Sequence, residues 1–463
     1  SNPNDLAALD DIRFRTGLEL DLVLASDQQI AAYIERCYMT QKTFTDALAE
    51  LEEEEIEVTD DEADFSEQEL ARLAGDAPVV RLVNYFIVNA IRNGASDIHI
   101  EPFAGKLRIR YRVDGVLFDV SNPPSKLRAA IVSRIKIMAG LDIAEHRKPQ
   151  DGRIKLKFAG KRSIDLRVGI IPTVHGETVA IRLLDEGQLQ LDMTKLGFSS
   201  DELELFQEAL RAPHGMILVT GPTGSGKTTT LYSALADINR VGINILTIED
   251  PVEYMLHGVK QVQMNETTGL TFASALRSFL RLDPDVILVG EIRDFETAEV
   301  AINAAMTGHL VLSTLHTNDA PATIGRLMQM GVEGFRVAST VRMIVAQRLI
   351  RRLCQNCRTR EDVSPQTLLD LGVDPDELTE FKVMRAQGCH ECKGAGYRGR
   401  VAIYEIMRLN EELRQQITNG ADVGAIRREA IRGGMRTLRM SALQKLRDGV
   451  TSLDEVRRVT GHD

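Results

Sequence analysis

Apolar runs and helical segments alternate along the second half of the chain. From His214 onward, the runs "MILVT", "INILTIED", "VILVGEI" and "HLVLSTLHT" are separated by segments such as "TTTLYSALADIN", whose apolar positions follow helical spacing. Continuous apolar runs of this length are typical of strands that are buried on both faces, and helical crossovers join such strands in parallel. The pattern therefore predicts an α/β core whose parallel sheet is covered on both sides.

The segment before this core has a different periodicity. A helix, "VVRLVNYFIVNAIRNG", precedes strands with period-two alternation that break at Asp-Gly and Ala-Gly turns, as in "KLRIRYRVDGVLFDV". This pattern predicts a separate α+β domain with a twisted mixed sheet. Upstream of it, acidic side chains dominate from Glu52 to Asp64. Like charges repel and little there can be buried, which favours a flexible tether over an acidic docking segment.

Length and charge limit the organisation and the partners. A chain of 463 residues is too long for one core, and a net charge of -11 argues against a general nucleic-acid binder. No apolar run approaches the ~20 residues of a membrane-spanning helix. Five cysteines, four of them in two CxxC pairs, fit a reducing compartment better than a disulfide framework, so we predict a cytoplasmic protein. The predicted segments are 1–50, the tail of an N-terminal domain that begins upstream; 51–74, the acidic linker; 75–185, the α+β domain; 186–350, the core; 351–402, a cysteine-bearing module; and 403–463, C-terminal helices.

A phosphate-binding motif lies between the first core strand and the helix after it. "GPTGSGKTT" has the GxxxxGK[ST] spacing in strand–loop–helix order, in which backbone N–H groups and a lysine surround phosphate oxygens. Thr228 is the expected hydroxyl ligand of Mg²⁺, and the expected nucleotide is ATP. The residues predicted to bind it are Gly221, Pro222, Thr223, Gly224, Ser225, Gly226, Lys227, Thr228 and Thr229.

The acids expected opposite this loop are distributed in an unusual way. P-loop hydrolases commonly place an Asp at the end of a neighbouring strand, but "DPDVILVGEIRD" has Gly290 there and only Glu291 after it. The strand "NILTIEDPVEY" ends in Glu249, Asp250 and Glu253, which can hold magnesium through water or orient the attacking water. Asp250 and Glu253 fit the alternative of capping a loop equally well.

Two histidines flank another core strand, "HLVLSTLHTND". His316 follows the strand and is predicted on the phosphate side of the sheet, where its imidazole can hydrogen-bond the γ-phosphate. His309 precedes the strand, and a fully extended chain separates the two by about 23 Å. We predict that His309 also contributes to the cofactor site. The alternatives are a strand that ends early or a structural role for His309.

Four cysteines form two CxxC pairs, "CQNC" and "CHEC". Cys354, Cys357, Cys389 and Cys392 therefore supply the four thiolates of a tetrahedral zinc site. The spacer is longer than in common zinc modules, so "SPQTLLDLGVDPDEL" is predicted to form a helical excursion. Gly394 and Gly396 would allow the tight turn that brings backbone N–H groups to the sulfurs. A redox-active dithiol is the alternative, and Cys37 is predicted to be a lone core thiol.

The order of these motifs resembles that of one family. "GPTGSGKTTTLY", "TIEDPVEY", "DPDVILVGEIRD" and "TGHLVLSTLHTNDA" are similar to four motifs of the secretion-superfamily ATPases, which power type II secretion and type IV pilus assembly. "HRKPQDGR", "IDLRVGIIPTVHGETVAIRLL" and "GGMRTLRMSALQKLRDGV" extend the resemblance over residues 75–463. Glycine at 290 is itself typical of this family. The resemblance implies a RecA-like P-loop core with a parallel sheet, preceded by a PAS-like α+β domain and followed by the zinc-binding module and a helical tail.

Function and residue roles follow from the resemblance. It implies a homohexamer that couples ATP hydrolysis to rotation of the α+β domain against the core. Arg153 and Arg167 match the family arginines that reach the phosphates, and Arg110 and Arg112 are weaker matches. Glu291 is expected to act at magnesium and water while Glu249 positions the attacking water, although the residues do not decide which acid is the base.

The resemblance also indicates which biological roles are expected for the chain. Pilus-retraction ATPases lack the tetracysteine insert, so the chain is expected to be an assembly or secretion motor. "DDIRFRTG" and the N-terminal segment favour type IV pilus assembly, driven through an inner-membrane platform protein. An accessory cytoplasmic-ring protein is a further expected partner, and no direct nucleic-acid contact is expected. A type II secretion motor is the nearest alternative. A DNA-transfer or DNA-uptake translocase and an adaptor that binds nucleotide without turnover are the alternatives from other classes.

Overall fold

The structure is a computed structural model that describes residues 57–58, 77–157, 163–185 and 191–461. The segment 1–50, with its predicted helix, strand and helix and with Cys37, lies outside the described residues, as does most of the predicted linker. The chain divides into two compact units, Ser1–Leu184 and Asp185–Asp463.

In the part of the first unit that the structure describes, a seven-stranded sheet packs with two α-helices. The helices are α1 (Ala77–Arg92) and α2 (Arg128–Met138), and the strands are β1 (Glu57–Val58), β2 (Ala95–Phe103), β3 (Lys106–Val113), β4 (Val116–Ser121), β5 (Gln150–Lys157), β6 (Ser163–Thr173) and β7 (Gly176–Asp185). Their order in the sheet is β1-β5-β6-β7-β2-β3-β4. Alternate residues of the strands pack with both helices in one core, so the period-two pattern does predict the buried face.

Two details of this unit go beyond the sequence pattern. The run "KLRIRYRVDGVLFDV" folds into two strands because Asp114 and Gly115 have φ angles of 48° and 84°, the left-handed conformation that a two-residue hairpin turn requires. Glu57–Val58, within the predicted acidic linker, form strand β1, which pairs antiparallel with β5. Helix α2 was not predicted.

The second unit is built on another seven-stranded sheet, ordered β10-β9-β11-β12-β8-β13-β16. The strands are β8 (Gly215–Thr220), β9 (Ile245–Glu249), β10 (Lys260–Gln263), β11 (Val286–Val289), β12 (Leu310–Leu315), β13 (Val341–Leu353) and β16 (Tyr397–Arg408). All pairings are parallel except that of β16 with β13. The predicted parallel sheet is confirmed, with one antiparallel strand at its edge.

Helices cover both faces of this sheet. They are α3 (Ser200–Leu210), α4 (Lys227–Ile238), α5 (Phe272–Phe279), α6 (Phe295–Met306), α7 (Ala320–Gln329), α8 (Gly334–Thr340), α9 (Pro365–Asp370), α10 (Glu411–Thr418), α11 (Val423–Arg432), α12 (Leu438–Arg447) and α13 (Leu453–Thr460). Successive residues of β8 enter different cores: Met216 and Leu218 pack in one, and Ile217 and Val219 in the other. Both faces are buried, which is why the strands read as continuous apolar runs.

The cysteine-bearing module is inserted between two strands of this sheet. Strands β13 and β16 pair directly, and the chain between them holds a two-stranded sheet, β14 (Thr359–Arg360) with β15 (Met384–Arg385), and helix α9. A 3₁₀ helix follows at Pro375–Glu380, so the predicted helical excursion between the CxxC pairs is confirmed. In the described part of the chain, no helix is long and apolar enough to cross a membrane.

Candidate functional site

The predicted phosphate loop connects β8 to helix α4. Its turns depend on glycine, because Gly221, Gly224 and Gly226 have φ angles of 145°, 78° and 91°. The loop is exposed from Pro222 to Gly224, and Gly226 is the N-cap of the helix. An exposed loop with its backbone coiled before a helix N-terminus presents N–H groups and a partial positive charge to an anion.

Lys227 is the first residue of helix α4 and points back over the loop. Its Nζ donates hydrogen bonds to the carbonyl oxygens of Gly221, at 2.9 Å, and Pro222, at 3.2 Å. Burial lowers the pKa of Lys227, and the negative charge of Glu291 partly opposes this. The lysine and Glu291, which are distant in sequence, are therefore close enough to interact electrostatically, as the sequence analysis predicted for one site.

Glu291 follows β11 at the carboxyl edge of the sheet and is only 9% exposed. One carboxylate oxygen lies 2.5 Å from Nη2 of Arg293, and the other lies 3.3 Å from Nε2 of His316. His316 follows β12, which separates β11 from β8, so the imidazole is on the phosphate side as predicted. The structure thus brings Glu291, His316 and Lys227 together, and adds Arg293 to them.

Glu249 is held differently from Glu291. Its buried carboxylate accepts hydrogen bonds from the hydroxyl of Thr247 at 2.5 Å, from Nε2 of Gln261 at 3.2 Å and from the hydroxyl of Tyr232. Burial, and then the charge of Glu249, raise the pKa of the Tyr232 hydroxyl. Because Tyr232 belongs to helix α4, this network ties the end of β9 to the helix that begins at the phosphate loop. Three of the carboxylate's four lone pairs are occupied, which leaves one on Oε2 for a water molecule.

The other sequence-predicted residues lie in two places. The backbone N–H of Glu253 donates to the Tyr232 hydroxyl at 3.3 Å, so this residue belongs to the Glu249 network. His309 precedes β12, and its ring nitrogen Nδ1 lies 2.9 Å from the carbonyl oxygen of Ala304. The strand does not end early, so His309 lies at the sheet edge opposite Gly221–Thr229. The structure does not bring it to the predicted cofactor site within one chain.

A steric constraint explains why position 290 is occupied by glycine. A Cβ added to Gly290 would lie 3.2 Å from both the Cα of Glu249 and the carbonyl oxygen of Ile248, and 3.4 Å from the ring of Phe272. The neighbouring strand β9 therefore approaches too closely for a side chain to fit without displacement. The Asp that other P-loop hydrolases use would push against the backbone that carries Glu249.

We expect Gly290→Asp to lower activity rather than restore a missing acid. The added carboxylate should destabilise the core by about 1–3 kcal/mol, because β9 has to move by a few tenths of an ångström. Denaturant unfolding and phosphate release measure the two effects. The matched control is Gly242→Asp, because a Cβ at Gly242 meets open space. Gly224→Asp is unsuitable, because the positive φ of Gly224 would strain any side chain there. Activity above that of the parent protein would contradict the steric explanation.

The candidate arginines belong to the first unit. Arg153 and Arg167 are directly opposite each other in the antiparallel pairing of β5 with β6, so their side chains share one face of the sheet. Arg153 is exposed and Arg167 partly exposed. The weaker candidates make ion pairs on the same unit: Arg110 with Glu101 at 2.6 Å, and Arg112 with Asp97 at 3.5 Å.

The four cysteines of the inserted module form one cluster. Their sulfur atoms all lie within 4.8 Å of one another, and the pairs Cys354–Cys389, Cys357–Cys392 and Cys389–Cys392 are 3.8, 3.7 and 3.7 Å apart. A tetrahedral zinc with bonds of ~2.3 Å requires sulfur–sulfur distances of about 3.8 Å. The separations fit a metal site and are much longer than the ~2.0 Å of a disulfide.

Backbone groups support the sulfurs. The backbone N–H groups of Cys389 and Gly396 each donate to the Cys392 sulfur at 3.1 Å. Gly394 and Gly396 have φ angles of 79° and 74°, so the predicted glycine-dependent turn is confirmed. Burial raises the pKa of Cys392, but these N–H groups and the neighbouring thiols outweigh it and lower the pKa to about 7. Burial raises the pKa of Cys357 to about 12. The cluster could hold zinc.

Sequence reasoning missed three residues of the candidate site. Arg293 stands two positions after Glu291, and its pKa is raised by Glu291 together with Asp250 and Glu266. Tyr232 holds Glu249, and Gln347 of β13 accepts a hydrogen bond from the hydroxyl of Thr230 at 2.8 Å. Arg293 was available as a cation in the quoted motif "GEIRD". The other two have no local signal, because their roles depend on contacts between distant segments.

The fold and this site define a P-loop nucleotide hydrolase with an inserted cysteine cluster. Residues 72–458 match the family described as "Type II/IV secretion system protein", and residues 1–44 match the "MshEN domain". The chain belongs to the type II/IV secretion system protein family. This confirms the resemblance that the motifs indicated.

Individual relatives show which members of this family the chain resembles. The chain is 52% identical over 463 residues to the type IV pilus assembly ATPase PilB of Myxococcus xanthus (strain DK1622), covering 100% of this chain and 82% of the relative. It is 47% identical to type II secretion system protein E of Xanthomonas campestris pv. campestris (strain ATCC 33913 / DSM 3586 / NCPPB 528 / LMG 568 / P 25), covering 99% and 80%. The crystal structure of the pilus retraction motor PilT with bound ADP is 28% identical, has a TM-score of 0.55, and is matched over 81% of this chain and 95% of that one. The chain is an ATP-hydrolysing enzyme.

Proposed function

We propose that the chain is the motor of type IV pilus assembly. In this proposal it acts as a homohexamer that couples ATP hydrolysis to rotation of the first unit against the second. It transmits this movement to an inner-membrane platform protein, together with an accessory cytoplasmic-ring protein, from the cytoplasmic side of the membrane. The observation that carries the proposal is the 52% identity over the whole chain, residues 1–44 included, to a pilus assembly ATPase.

The residue roles form the chemical part of the proposal. Residues 221–229 hold the phosphates of ATP, and the hydroxyl of Thr228 is the ligand for Mg²⁺, which would neutralise phosphate charge. Glu291 and His316 act at the attacking water and the γ-phosphate, because both lie at the sheet edge that carries Lys227. Glu249 keeps one free acceptor site and is held by Tyr232, Thr247 and Gln261, which supports a positioning role.

The cysteine cluster is proposed to bind structural zinc. Its sulfur separations of 3.7 to 3.8 Å match a tetrahedral thiolate site. The module is an insertion between β13 and β16, and its apolar residues Leu368 and Val383 pack in the core that also contains the last helices. A bound metal would therefore stabilise this corner of the second unit.

Arg153 and Arg167 are proposed to stabilise the charge that develops on the phosphates. We expect Arg167→Gln to lower the maximal rate of phosphate release by about 10- to 100-fold, because a charged donor aimed at the transition state is lost while the opposite Arg153 remains. The matched control is Arg108→Gln, since Arg108 pairs with Glu101 at 3.0 Å on the same sheet. Equal rates for the two variants would contradict the proposed role.

Co-purification with platform proteins tests the biological role. The full chain is mixed with the inner-membrane platform protein of a pilus machine or of a type II secretion machine from the same cell, in the presence of nucleotide. Retention by the pilus platform alone supports the proposal. Retention by the secretion platform alone supports the second candidate, which the 47% identity over 99% of the chain to a type II secretion protein favours. Light scattering after gel filtration measures the predicted six-fold assembly.

A further inference from the structure

Strand β13 supports the phosphate loop from the side. It is paired in parallel with β8, with Ala346 opposite Thr220, the last residue before the loop. The next residue of β13 is Gln347, which is only 2% exposed. Its Oε1 accepts a hydrogen bond of 2.8 Å from the hydroxyl of Thr230 in helix α4. The side chain of Gln347 is therefore fixed between the strand and the helix that follows the loop.

Both ends of the loop touch this one residue. A Cβ on Gly221 would lie 2.4 Å from the backbone carbonyl oxygen of Gln347, and a Cβ on Gly226 would lie 2.8 Å from its Nε2. At Gly221 the obstacle is a main-chain carbonyl that any residue at position 347 would present, whereas at Gly226 it is the side-chain amide of Gln347 itself. Gly221 in turn accepts the hydrogen bond from Lys227 at 2.9 Å. The contacts connect Gln347, through the two glycines, to the lysine that is proposed to bind phosphate.

The side-chain amide of Gln347 also has a hydrogen-bond donor that no protein group accepts in the part of the chain that the structure describes. Within the described residues, Nε2 of Gln347 donates no hydrogen bond, although it is held against Gly226. Nε2 is not fully enclosed, and an amide donor at this place beside the phosphate loop is available to interact with the loop when it is loaded. The hydroxyl of Thr230 is the donor that fixes which end of the amide faces the loop.

We propose that Gln347 is a positioning residue of the nucleotide site. Its side-chain amide, fixed by Thr230, supports the loop at Gly226, so that the backbone N–H groups already face the phosphates before ATP or ADP arrives. A preformed loop avoids the ordering cost of binding. The proposal rests on the assignment of residues 221–229 to the nucleotide phosphates. It predicts an effect on nucleotide affinity more than on the chemical step.

Gln347→Leu tests this with a side chain of similar volume that lacks the amide. We expect the KM for ATP and the Kd for a fluorescent ADP analogue to rise by about 10-fold while kcat changes less than about 3-fold, because an interaction made equally in the ground and transition states is lost. A loss of general packing would instead lower the midpoint of thermal unfolding without this split, so unfolding is measured on the same samples.

Gln347→Glu gives a second readout that depends on charge. The new carboxyl keeps an acceptor for Thr230 but becomes negative beside the phosphates when it ionises. Burial raises the pKa of such a group, so we expect it to be neutral at low pH and ionised at higher pH. Its ADP affinity relative to the parent protein should therefore fall as the pH rises from about 6 to about 8. A ratio that does not change with pH would overturn the proposal.

Thr230 keeps the test decisive if a Gln347 variant does not fold. Thr230→Val removes the donor at constant shape and should weaken ADP binding, whereas Thr230→Ser keeps the hydroxyl and should bind like the parent protein. Lys227→Ala distinguishes a failure of the proposed phosphate site from a failure of the proposed role of Gln347. If Lys227→Ala binds nucleotide normally, the proposed phosphate site itself is wrong. If Lys227→Ala loses binding while the Gln347 and Thr230 variants bind like the parent, only the role of Gln347 is overturned.

Discussion

Glu291→Gln should lower the rate of phosphate release by about 10³-fold and leave nucleotide binding nearly unchanged. The substitution keeps the volume and one oxygen of the side chain but removes its negative charge. A carboxylate that accepts a proton from water, or aligns that water, is worth about 10²- to 10⁴-fold in rate. The P-loop contacts to phosphate do not involve this side chain, so the Kd for a fluorescent ADP analogue should stay within a few-fold of the parent value.

The surroundings of Glu291 explain why this acid is expected to dominate. Glu291 is 9% exposed, and one of its carboxylate oxygens lies 2.5 Å from Arg293, while the other lies 3.3 Å from Nε2 of His316 without forming a hydrogen bond. The contact with Arg293 holds the carboxylate at the sheet edge where Lys227 lies, and the second oxygen remains available as an acceptor for water. Glu249 has most of its acceptor sites occupied by Tyr232, Thr247 and Gln261, so it is less free to take a proton. We therefore place the larger kinetic effect at Glu291.

The matched control is Glu296→Gln. Glu296 is an exposed residue of helix α6 that pairs with Arg277 at 2.8 Å, and surface pairs of this kind contribute at most about 1 kcal/mol. The rate of phosphate release by Glu296→Gln should remain within about twofold of the parent rate. If Glu291→Gln also released phosphate at the parent rate, the chain would use another base, and Glu249→Gln would be the next variant to measure.

The second large effect is expected at the cysteine cluster. The purified chain should contain one zinc per chain by elemental analysis, and Cys392→Ser should lose most of it. Cys392 contacts two other sulfurs at 3.7 Å and accepts two backbone N–H groups at 3.1 Å, so its removal disrupts the centre of the cluster. Metal binding contributes folding free energy directly, about 10–16 kcal/mol for isolated zinc-finger peptides, which sets an upper limit here.

Loss of the metal should therefore lower the thermal unfolding midpoint by many degrees and expose the module to proteolysis between residues 354 and 396. Cys37→Ser is the matched control, because Cys37 belongs to neither CxxC pair of the sequence. Its zinc content should equal that of the parent protein. A parent chain that contains no zinc and whose four thiols readily form disulfides would support the redox alternative instead.

Some features of this protein could be predicted from neighbouring residues alone. The apolar runs and the helical spacing between them indicated the parallel sheet, and the Asp114-Gly115 turn indicated a hairpin. The loop before Lys227 was predictable because the glycine positions of a phosphate loop follow from its backbone conformation. The two CxxC pairs indicated a four-sulfur cluster, since each pair brings two thiols together locally. These signals depend on backbone conformation and on short sequence separation.

Other features depend on how distant segments pack. The sequence does not encode in any local pattern that β13 lies beside β8, so the contact of Gln347 with Gly221 and Gly226 was not predictable. The burial of Glu249 against Tyr232 and the displacement of His309 to the opposite sheet edge have the same origin. Strand order and the direction of each strand decide which side chains meet. Those choices minimise the free energy of the whole core, and therefore only the tertiary structure shows them.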